Sequence, residues 1–238
     1  WLHWLDGCPS VGGNGELGMI KQLNRRWFLL GILGLFLLVG GCSSTNPMAE
    51  TQPAPGTVLF SDEFDLQTNG WKTTSLDGSR VEISGGKLSL EVEKPYLDQW
   101  TVAGKSYKDV IILVVGQKEL GPDDNQYGIL CRYQDDSHFY AFTIGSDGYG
   151  GIWKKTQNGM EVVGGEVLEF IPEAQQGDLP NTIRVDCVGD ELSLWVNGKL
   201  IRQATDDTYI SGDVGLLAGT FAEGDVKILF DHFIVIQP

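Results

Sequence analysis

From Val58 to the C-terminus the chain is a succession of short apolar or alternating runs, separated by residues that favour turns. The separators are rich in Gly, Asn and Asp, as in "GPDDN", "SDGYGG" and "EGD", and helical periodicity is almost absent. Many short strands divided in this way are typical of a sandwich or barrel of antiparallel strands. We therefore predict one all-β domain over residues 58–238, with two antiparallel sheets around one core. The clearest runs are "KLSLEVE" (87–93), "DVIILVVG" (109–116), "YGILCRY" (127–133), "FYAFTIG" (139–145), "NTIRVDCV" (181–188), "ELSLWVNG" (191–198), "GDVGLLAGTF" (212–221) and "VKILFDHFIVI" (226–236).

One segment of this domain is less clearly β. The sequence "GEVLEFIPEAQQ" (165–176) has room for a helical turn. Pro172 would keep such a turn short, because proline has no backbone N–H and clashes with the preceding turn.

The stretch at 127–145 predicts a hairpin with "QDDS" as its loop and Tyr133 opposite His138. Side chains alternate between the two faces of a strand, so one face of the hairpin is predicted to be apolar and to point into the core. That inward set is Ile129, Cys131, Tyr140, Phe142 and Ile144. The other face carries Arg132 and Phe139 and is predicted to meet solvent or a ligand.

The predicted domain contains two cysteines, Cys131 and Cys187, and alternation along their strands points both inward. A disulfide between them is the one pairing that the domain offers, and an exported protein would permit it. Two separate buried thiols are equally consistent with the pattern, because the sequence does not give the Cα separation.

Residues 19–41 have the features of a bacterial export signal. A basic stretch follows Met19, and residues 27–41 form an uncharged apolar run of roughly 15 residues, which is short for a membrane span. The run ends in "LVGGC", which resembles the lipobox of bacterial lipoproteins. This resemblance implies cleavage before Cys42 and a diacylglyceryl group on its thiol, while a plain helical anchor is the alternative.

The residues on either side of this signal fit the same interpretation. Residues 1–18 precede Met19 and are interpreted as upstream translation. Residues 42–57 are rich in Ser, Thr and Pro and predict a flexible tether. The expected location is therefore the cell surface or the periplasmic side of a bacterial membrane, with a lipid anchor.

The predicted domain is strongly acidic. The formal net charge of the chain is −15, and the first 57 residues carry three positive and three negative side chains, so the whole excess follows residue 57. Such a surface repels phosphate backbones, which argues against nucleic acid as a partner, and it suits neutral sugars, cations or basic proteins. No glycine-rich phosphate loop supports nucleotide binding, and the scarcity of His and Cys disfavours zinc.

Several phrases together resemble one superfamily. They are "LFSDEFDLQTNGW", "YGILCRYQDDSHFYAFTIGSDGYGGIWK", "NTIRVDCVGDELSLWVNGKLI" and "GDVGLLAGTFAEGDVKILFDHFIV". Their order is similar to the concanavalin A-like lectin/glucanase superfamily, and within it to laminin-G-like and 3-keto-disaccharide hydrolase-type (DUF1080) modules. The resemblance implies a jelly roll of two curved sheets with ligands on the concave face. It does not decide between lectins, glycosidases and spacers, because one fold hosts many functions.

The acidic residues do not favour a glycosidase of the laminarinase type. Retaining hydrolysis needs two carboxyl groups about 5–5.5 Å apart, and those relatives carry them as Glu-x-Asp-x-(x)-Glu on one strand. That pattern is absent, since "LEVEKP" offers only Glu91 and Glu93 on one face. A keto-sugar lyase or hydrolase that uses Asp, His and a metal stays open.

The candidate carbohydrate-binding residues are charged and aromatic side chains on predicted outward faces or at the hairpin tip. Aromatic rings stack on sugars, and charged groups bind sugar hydroxyls. The structural alternatives are turn formation for the aspartates, a surface position for the histidine and a cross-strand ion pair for the arginine. For the tryptophans they are a core position for Trp153 and packing against a loop for Trp195. The set is Arg132, Asp135, Asp136, His138, Phe139, Trp153 and Trp195.

Two acidic residues are candidates for a structural calcium ion. In glucanase relatives, "DEF" and "FDHF" occupy positions that flank a calcium on the convex side, which implies Glu63 and Asp231 as oxygen ligands. The alternative for Asp231 is a loop cap that accepts backbone N–H bonds. No other cofactor is expected.

These observations lead to one functional prediction with two rivals. We expect a membrane-anchored extracytoplasmic lipoprotein whose β-sandwich binds carbohydrate, such as cell-wall glycan, without turnover. The rivals are a glycoside- or keto-sugar-cleaving hydrolase and a protein-binding adhesion module.

Overall fold

A computed structural model describes residues 52–66 and 69–238. The predictions for residues 1–18, for the signal at 19–41 and for lipidation of Cys42 lie outside the described residues. Within the described part, no helix has the length and apolar character needed to cross a lipid bilayer.

The described residues form two antiparallel sheets and contain no helix, which confirms the all-β jelly-roll prediction. In spatial order, sheet I contains β14 (Lys199–Thr205), β13 (Glu191–Val196), β12 (Asn181–Val188), β6 (Val110–Leu120), β16 (Val226–Ile236), β4 (Lys87–Val92), β3 (Ser79–Ser84) and β2 (Thr74–Leu76), and β1 (Val58–Asp62) also pairs with β16. Sheet II contains β10 (Gly159–Val163), β9 (Tyr149–Thr156), β8 (His138–Ile144), β7 (Asn125–Asp135), β15 (Gly212–Thr220) and β5 (Asp98–Tyr107), and β11 (Glu169–Phe170) also pairs with β9.

The core lies between the two sheets and follows the period of two that the sequence shows. On β12, Ile183, Val185 and Cys187 are fully buried, while the residues between them are half-buried. The inward set predicted for the β7–β8 hairpin is likewise fully buried in the core. Alternation of this kind places every second residue of a strand on the core face, so the remaining residues of sheet II are free to build an outer surface.

A disulfide joins Cys131 on β7 to Cys187 on β12, with the two Cα atoms 6.9 Å apart. Of the two alternatives that the sequence left open, the structure therefore has the bridge. It connects sheet II to sheet I, so it holds the two layers of the sandwich together.

The β7–β8 hairpin differs from the prediction at its tip. Asp135 pairs with His138, so the pairing of Tyr133 with His138 was wrong. A bulge follows Cys131, and Arg132 within it has a φ angle of 53°. Because extra residues on one strand break the alternation of faces, side chains after the bulge no longer follow the parity read from the sequence.

The segment at 165–176 contains no helical turn. It forms the two-residue strand β11 and then bends and turns around Pro172. Ile171 and Ala174 are buried against the core, so this segment covers the edge of the sandwich.

Candidate functional site

The outer face of sheet II, which points away from the core, carries its own apolar cluster. Phe139 is only 1% exposed there, because the rings of Trp100 and Tyr133 lie 5.4 and 5.6 Å from it. The full cluster is Trp100, Leu130, Tyr133, Phe139, Ala141, Trp153, Met160 and Leu217. Phe139 is therefore the floor beneath other rings and not an exposed platform.

A row of hydrogen bonds crosses the same face at right angles to the strands. Trp153 Nε1 donates to Thr143 Oγ1 at 2.8 Å, Thr143 Oγ1 donates to Gln126 Oε1 at 3.3 Å, and Gln126 Nε2 donates to Asp98 Oδ1 at 2.8 Å. These side chains come from β9, β8, β7 and β5. Between β7 and β5 lies β15, whose Gly219 pairs with both Gln126 and Asp98 and lets the two side chains meet above it.

The chemistry of the groups fixes the direction of this row. An ionised carboxylate only accepts, so Gln126 must turn its NH₂ group towards Asp98 and its oxygen towards Thr143. The hydroxyl of Thr143 then has to donate to Gln126, and its lone pair accepts the indole N–H of Trp153. Thr143 and Gln126 are 1% and 7% exposed, so both are held rigidly at the base of the surface.

Asp98 is the charged end of the row. Burial raises the pKa of its carboxyl group, against the opposing effects of the hydrogen bond from Gln126 and the positive charge of Lys155. A carboxylate with a raised pKa on a recessed surface has lost part of its hydration, and such groups are concentrated at functional sites.

Two adjoining cavities open around this row. The first has a volume of about 240 Å³ and the second about 220 Å³, and both are lined by Gln126 and Phe221. The first is also lined by Asp124, Asn125, Thr143, Gly145, Asp147, Tyr149 and Leu168. The second is also lined by Tyr96, Asp98, Trp153, Met160 and Thr220. Together they form a recess with polar groups at its base and rings on its walls, which is the usual composition of a small-molecule site.

The first cavity contains a second perturbed carboxyl group. Burial raises the pKa of Asp147, the backbone N–H of Tyr149 opposes the shift, and the charges of Asp124 and Asp123 add to it. Asp147 Oδ1 accepts the backbone N–H of Tyr149 at 3.0 Å, which fixes the carboxylate at the start of β9. Asp147 and Asp124 line the same cavity, so both carboxylates are available to a ligand there.

Asp136, at the tip of the β7–β8 hairpin, forms hydrogen bonds with two members of the aromatic cluster. Its Oδ1 accepts the hydroxyl of Tyr133 at 2.5 Å and the indole N–H of Trp100 at 3.2 Å. Asp136 therefore fixes the orientation of two rings on the outer face of sheet II.

Asp135 and His138 face a different neighbour. His138 Nδ1 lies 2.7 Å from Asp135 Oδ1, and the His138 ring meets the edge of Tyr209 at 5.8 Å. Tyr209 packs on Tyr140, which belongs to the core face of β8. The structure thus does not bring Asp135 and His138 to the hydrogen-bonded row.

Arg132 was predicted on the outward face, and this orientation was wrong. The residue is 1% exposed, and its guanidinium donates to the carbonyls of Lys108, Tyr209 and Gly189 at 3.2, 2.9 and 2.7 Å. Asp109 lies 3.5 Å away as its counter-ion. The bulge buries Arg132 beneath the β5–β6, β12–β13 and β14–β15 connections and brings Tyr133 onto the outer face in its place.

Trp195 does point outward, but from sheet I. The guanidinium of Arg184, on the paired strand β12, lies 5.1 Å from the centre of its indole ring. Trp153 lies on the outer face of sheet II, so the two predicted tryptophans belong to opposite faces of the sandwich.

The predicted calcium ligands lie close together. Oxygens of Glu63 and Asp231 and a nitrogen of His232 are all within 4.8 Å of one another. However, Lys87 Nζ is 2.8 Å from Asp231 Oδ2, and His232 Nδ1 is 3.0 Å from Asp231 Oδ1. Calcium prefers six to eight oxygen ligands, so this set, with an ammonium group and an imidazole, does not fit calcium as it stands. Calcium binding at Glu63 and Asp231 stays a prediction.

Comparison with known proteins supports the fold. No family model matches the chain, and no curated protein matches it. A carbohydrate-binding module, CBM66 from Bacillus subtilis, superposes with a TM-score of 0.58 at 13% identity, over 71% of this chain and 96% of that one. A Bacillus subtilis protein of unknown function with a galectin-like fold gives 0.57 at 13% identity, over 77% and 97% of the two chains. The catalytic domain of a laminarinase from Thermotoga petrophila gives 0.52 at 12% identity, over 76% and 98%. At these identities the likeness shows a shared fold, a jelly-roll sandwich of two antiparallel sheets, and does not decide function.

Proposed function

We propose that this protein binds carbohydrate on the outer face of sheet II and does not cleave it. The observation that carries the proposal is the row from Trp153 to Asp98, which presents a carboxylate and an amide at the base of a recess with aromatic walls. Sugars offer alternating C–H faces and hydroxyl groups, so a ring beside fixed acceptors and donors matches their chemistry.

The rigidity of the row supports binding by a preformed site. Gln126 and Thr143 are held in one hydrogen-bonding orientation, so a ligand would not have to order them. Preorganised groups lose little conformational entropy on binding, which favours affinity. The fold neighbours include a protein named as a carbohydrate-binding module, which is consistent with this role.

The cellular setting is proposed from the sequence. The export-signal features of residues 19–41 and the lipobox-like "LVGGC" support a location outside the cytoplasm, with a lipid anchor at Cys42. The disulfide between Cys131 and Cys187 supports an oxidising compartment, since such bridges are rare in the cytosol.

Replacement of Trp153 by alanine tests the proposed site, and Trp195→Ala is its matched control on the opposite sheet. Calorimetric titration with a panel of oligosaccharides is expected to show binding to the native chain. Trp153→Ala should weaken it at least tenfold, about 1.4 kcal/mol, and Trp195→Ala should leave it unchanged. The proposal fails if the native chain binds no sugar of the panel, or if Trp195→Ala weakens binding and Trp153→Ala does not.

A hydrolase is the second candidate, and one observation favours it. Asp147 and Asp124 line one cavity, and the pKa of Asp147 is raised by burial and by the negative charge of Asp124, as a general acid requires. Prolonged incubation with each bound oligosaccharide, followed by chromatography, decides between the two roles. Shortened products that disappear in Asp147→Asn would establish the hydrolase, and intact oligosaccharide would establish binding alone.

A further inference from the structure

Resting on the proposed carbohydrate site, we propose that its ligand is a sugar with a free amino group, whose ammonium is bound at Asp98 between the aromatic walls of the second cavity. A neutral or N-acetylated sugar would use the same rings and hydrogen bonds but would lack the charge. Three features of the recess lead to this ligand class.

The first feature is the sign of the charge. Asp98 lines the second cavity, and Asp124 and Asp147 line the adjoining first cavity. Among the described residues that line the two cavities, none is a lysine or an arginine. A recess with carboxylates and low-dielectric walls focuses a negative potential, which attracts cations and raises their local concentration.

The second feature is the arrangement of rings around Asp98. Tyr96, Trp153 and Phe221 line the cavity that contains this carboxylate. The face of an aromatic ring attracts an ammonium group, by about 0.5–2 kcal/mol depending on desolvation. A cation in this cavity would therefore interact favourably with both the carboxylate and the ring faces. A neutral hydroxyl group would gain only the hydrogen bond to the carboxylate.

The third feature is that Asp98 is incompletely compensated. Its raised pKa shows that lost hydration outweighs the help it receives from Gln126 and from the positive charge of Lys155 on β9. Asp147 is in the same state, with Asp123 and Asp124 as its charged neighbours. A bound ammonium would donate hydrogen bonds to the carboxylate and balance its negative charge, in place of the hydration that burial removed.

Calorimetric titration of the full chain with three matched trisaccharides tests this inference. They are the β-1,4-linked trimers of glucosamine, of N-acetylglucosamine and of glucose, compared at pH 6, where the amine is protonated. We expect the glucosamine trimer to bind at least tenfold more tightly than the other two. In 0.5 M NaCl, where the Debye length is about 4 Å, this preference should fall at least threefold.

Two charge-neutralising variants complete the test. Asp98→Asn should remove the preference for the amine while retaining weak binding of the neutral trimers. Asp77→Asn removes the same charge from the exposed β2–β3 turn on sheet I and should leave the preference intact. Equal affinities of the native chain for all three trimers would overturn the inference and leave the proposed function standing, as would an unchanged preference in Asp98→Asn. If none of the trimers bound, nor any other sugar, both would be overturned.

Discussion

The carboxylate of Asp98 lies directly above the backbone of Gly219. A methyl carbon added at Gly219 would come 2.0 Å from Asp98 Oδ1 and 3.1 Å from Gln126 Nε2. Glycine is therefore needed at this point for a steric reason, because any side chain would occupy the space in which Gln126 and Asp98 meet.

Gly219→Ala should push Asp98 off its hydrogen bond with Gln126. We expect a loss of about 1–3 kcal/mol in the free energy of unfolding, typical of an overpacked site, and roughly tenfold weaker sugar binding. Chemical denaturation and calorimetry measure the two effects. Gly151→Ala is the control for the stability measurement alone, since its added carbon would meet only the Leu168 side chain, at 3.0 Å, and Leu168 lines the first cavity. Unchanged sugar affinity in Gly219→Ala would show that sugar binding does not require the hydrogen bond between Gln126 and Asp98.

Arg132→Lys should destabilise the protein without altering the affinity of the folded fraction. Lysine keeps the charge but lacks the planar guanidinium that reaches three carbonyls on three different connections between strands. We expect a loss of about 2–4 kcal/mol in unfolding free energy. Arg184→Lys, at a half-exposed ion pair with Asp186, should cost less than about 1 kcal/mol. Weaker sugar binding with unchanged stability in Arg132→Lys would instead support the role predicted from the sequence.

Removal of the Cys131–Cys187 bridge should lower the free energy of unfolding, because the unfolded chain gains conformational entropy when the bridge is absent. The bridge closes a loop with a sequence separation of 56 residues, and loop-closure entropy for that length is worth about 4 kcal/mol. Guanidinium unfolding of the native chain with and without reductant, and of the Cys131→Ala, Cys187→Ala double variant, measures the loss. Coincident unfolding curves would show that the bridge contributes nothing.

The ion pair of Lys154 and Asp206 should make the free energy of unfolding depend on pH in the acidic range. Burial acts to raise the pKa of Asp206, but the hydrogen bonds from Lys154, Thr208 and Tyr140 outweigh it and hold the pKa well below its ordinary value of 3.8. A carboxyl group with a lowered pKa in the folded state contributes stability above the unfolded value, and this contribution is lost as the pH falls through the folded value.

The native chain should therefore lose stability below about pH 4 more steeply than Asp206→Asn does. At pH 7 the variant should be less stable by about 1–3 kcal/mol, because Lys154 loses the nearer of its two carboxylate partners and keeps only Glu161. Urea unfolding at a series of pH values measures both effects. Asp207→Asn, at the exposed neighbouring position, is the control and should follow the native curve. Parallel pH profiles for native chain and Asp206→Asn would contradict the assignment.

Many of the strands and most of the core were predictable because they depend on local alternation. The runs at 181–188 and 226–236 match β12 and β16 residue for residue. The same alternation predicted that Cys131 and Cys187 are buried. It did not predict the disulfide between them, because that depends on the distance between two sheets. The orientation of Arg132 was mispredicted for a related reason. The bulge after Cys131 changes which face of the sheet the following side chains occupy, and the sequence does not show where such a bulge lies.

The charged end of the candidate site was missed altogether. Asp98 and Trp100 lie on β5, whose sequence "DQWTVAGKSY" mixes polar, aromatic and glycine residues and was not recognised as a strand. Their spacing of two was the available signal, since it places a carboxylate and an indole on one face. Gln126 and Thr143 carried no signal by themselves, because their role arises only when β7 and β8 lie side by side.

Every hydrogen bond in the row from Trp153 to Asp98 is donated in the same direction, so the row links the indole of Trp153 to the carboxylate of Asp98. Each donor is polarised by the acceptor that follows it, so neutralising the carboxylate alters the electron distribution at an indole three side chains away. We therefore expect a ligand that binds at Asp98 on β5 to change the fluorescence emission of Trp153 on β9, which lines the same cavity.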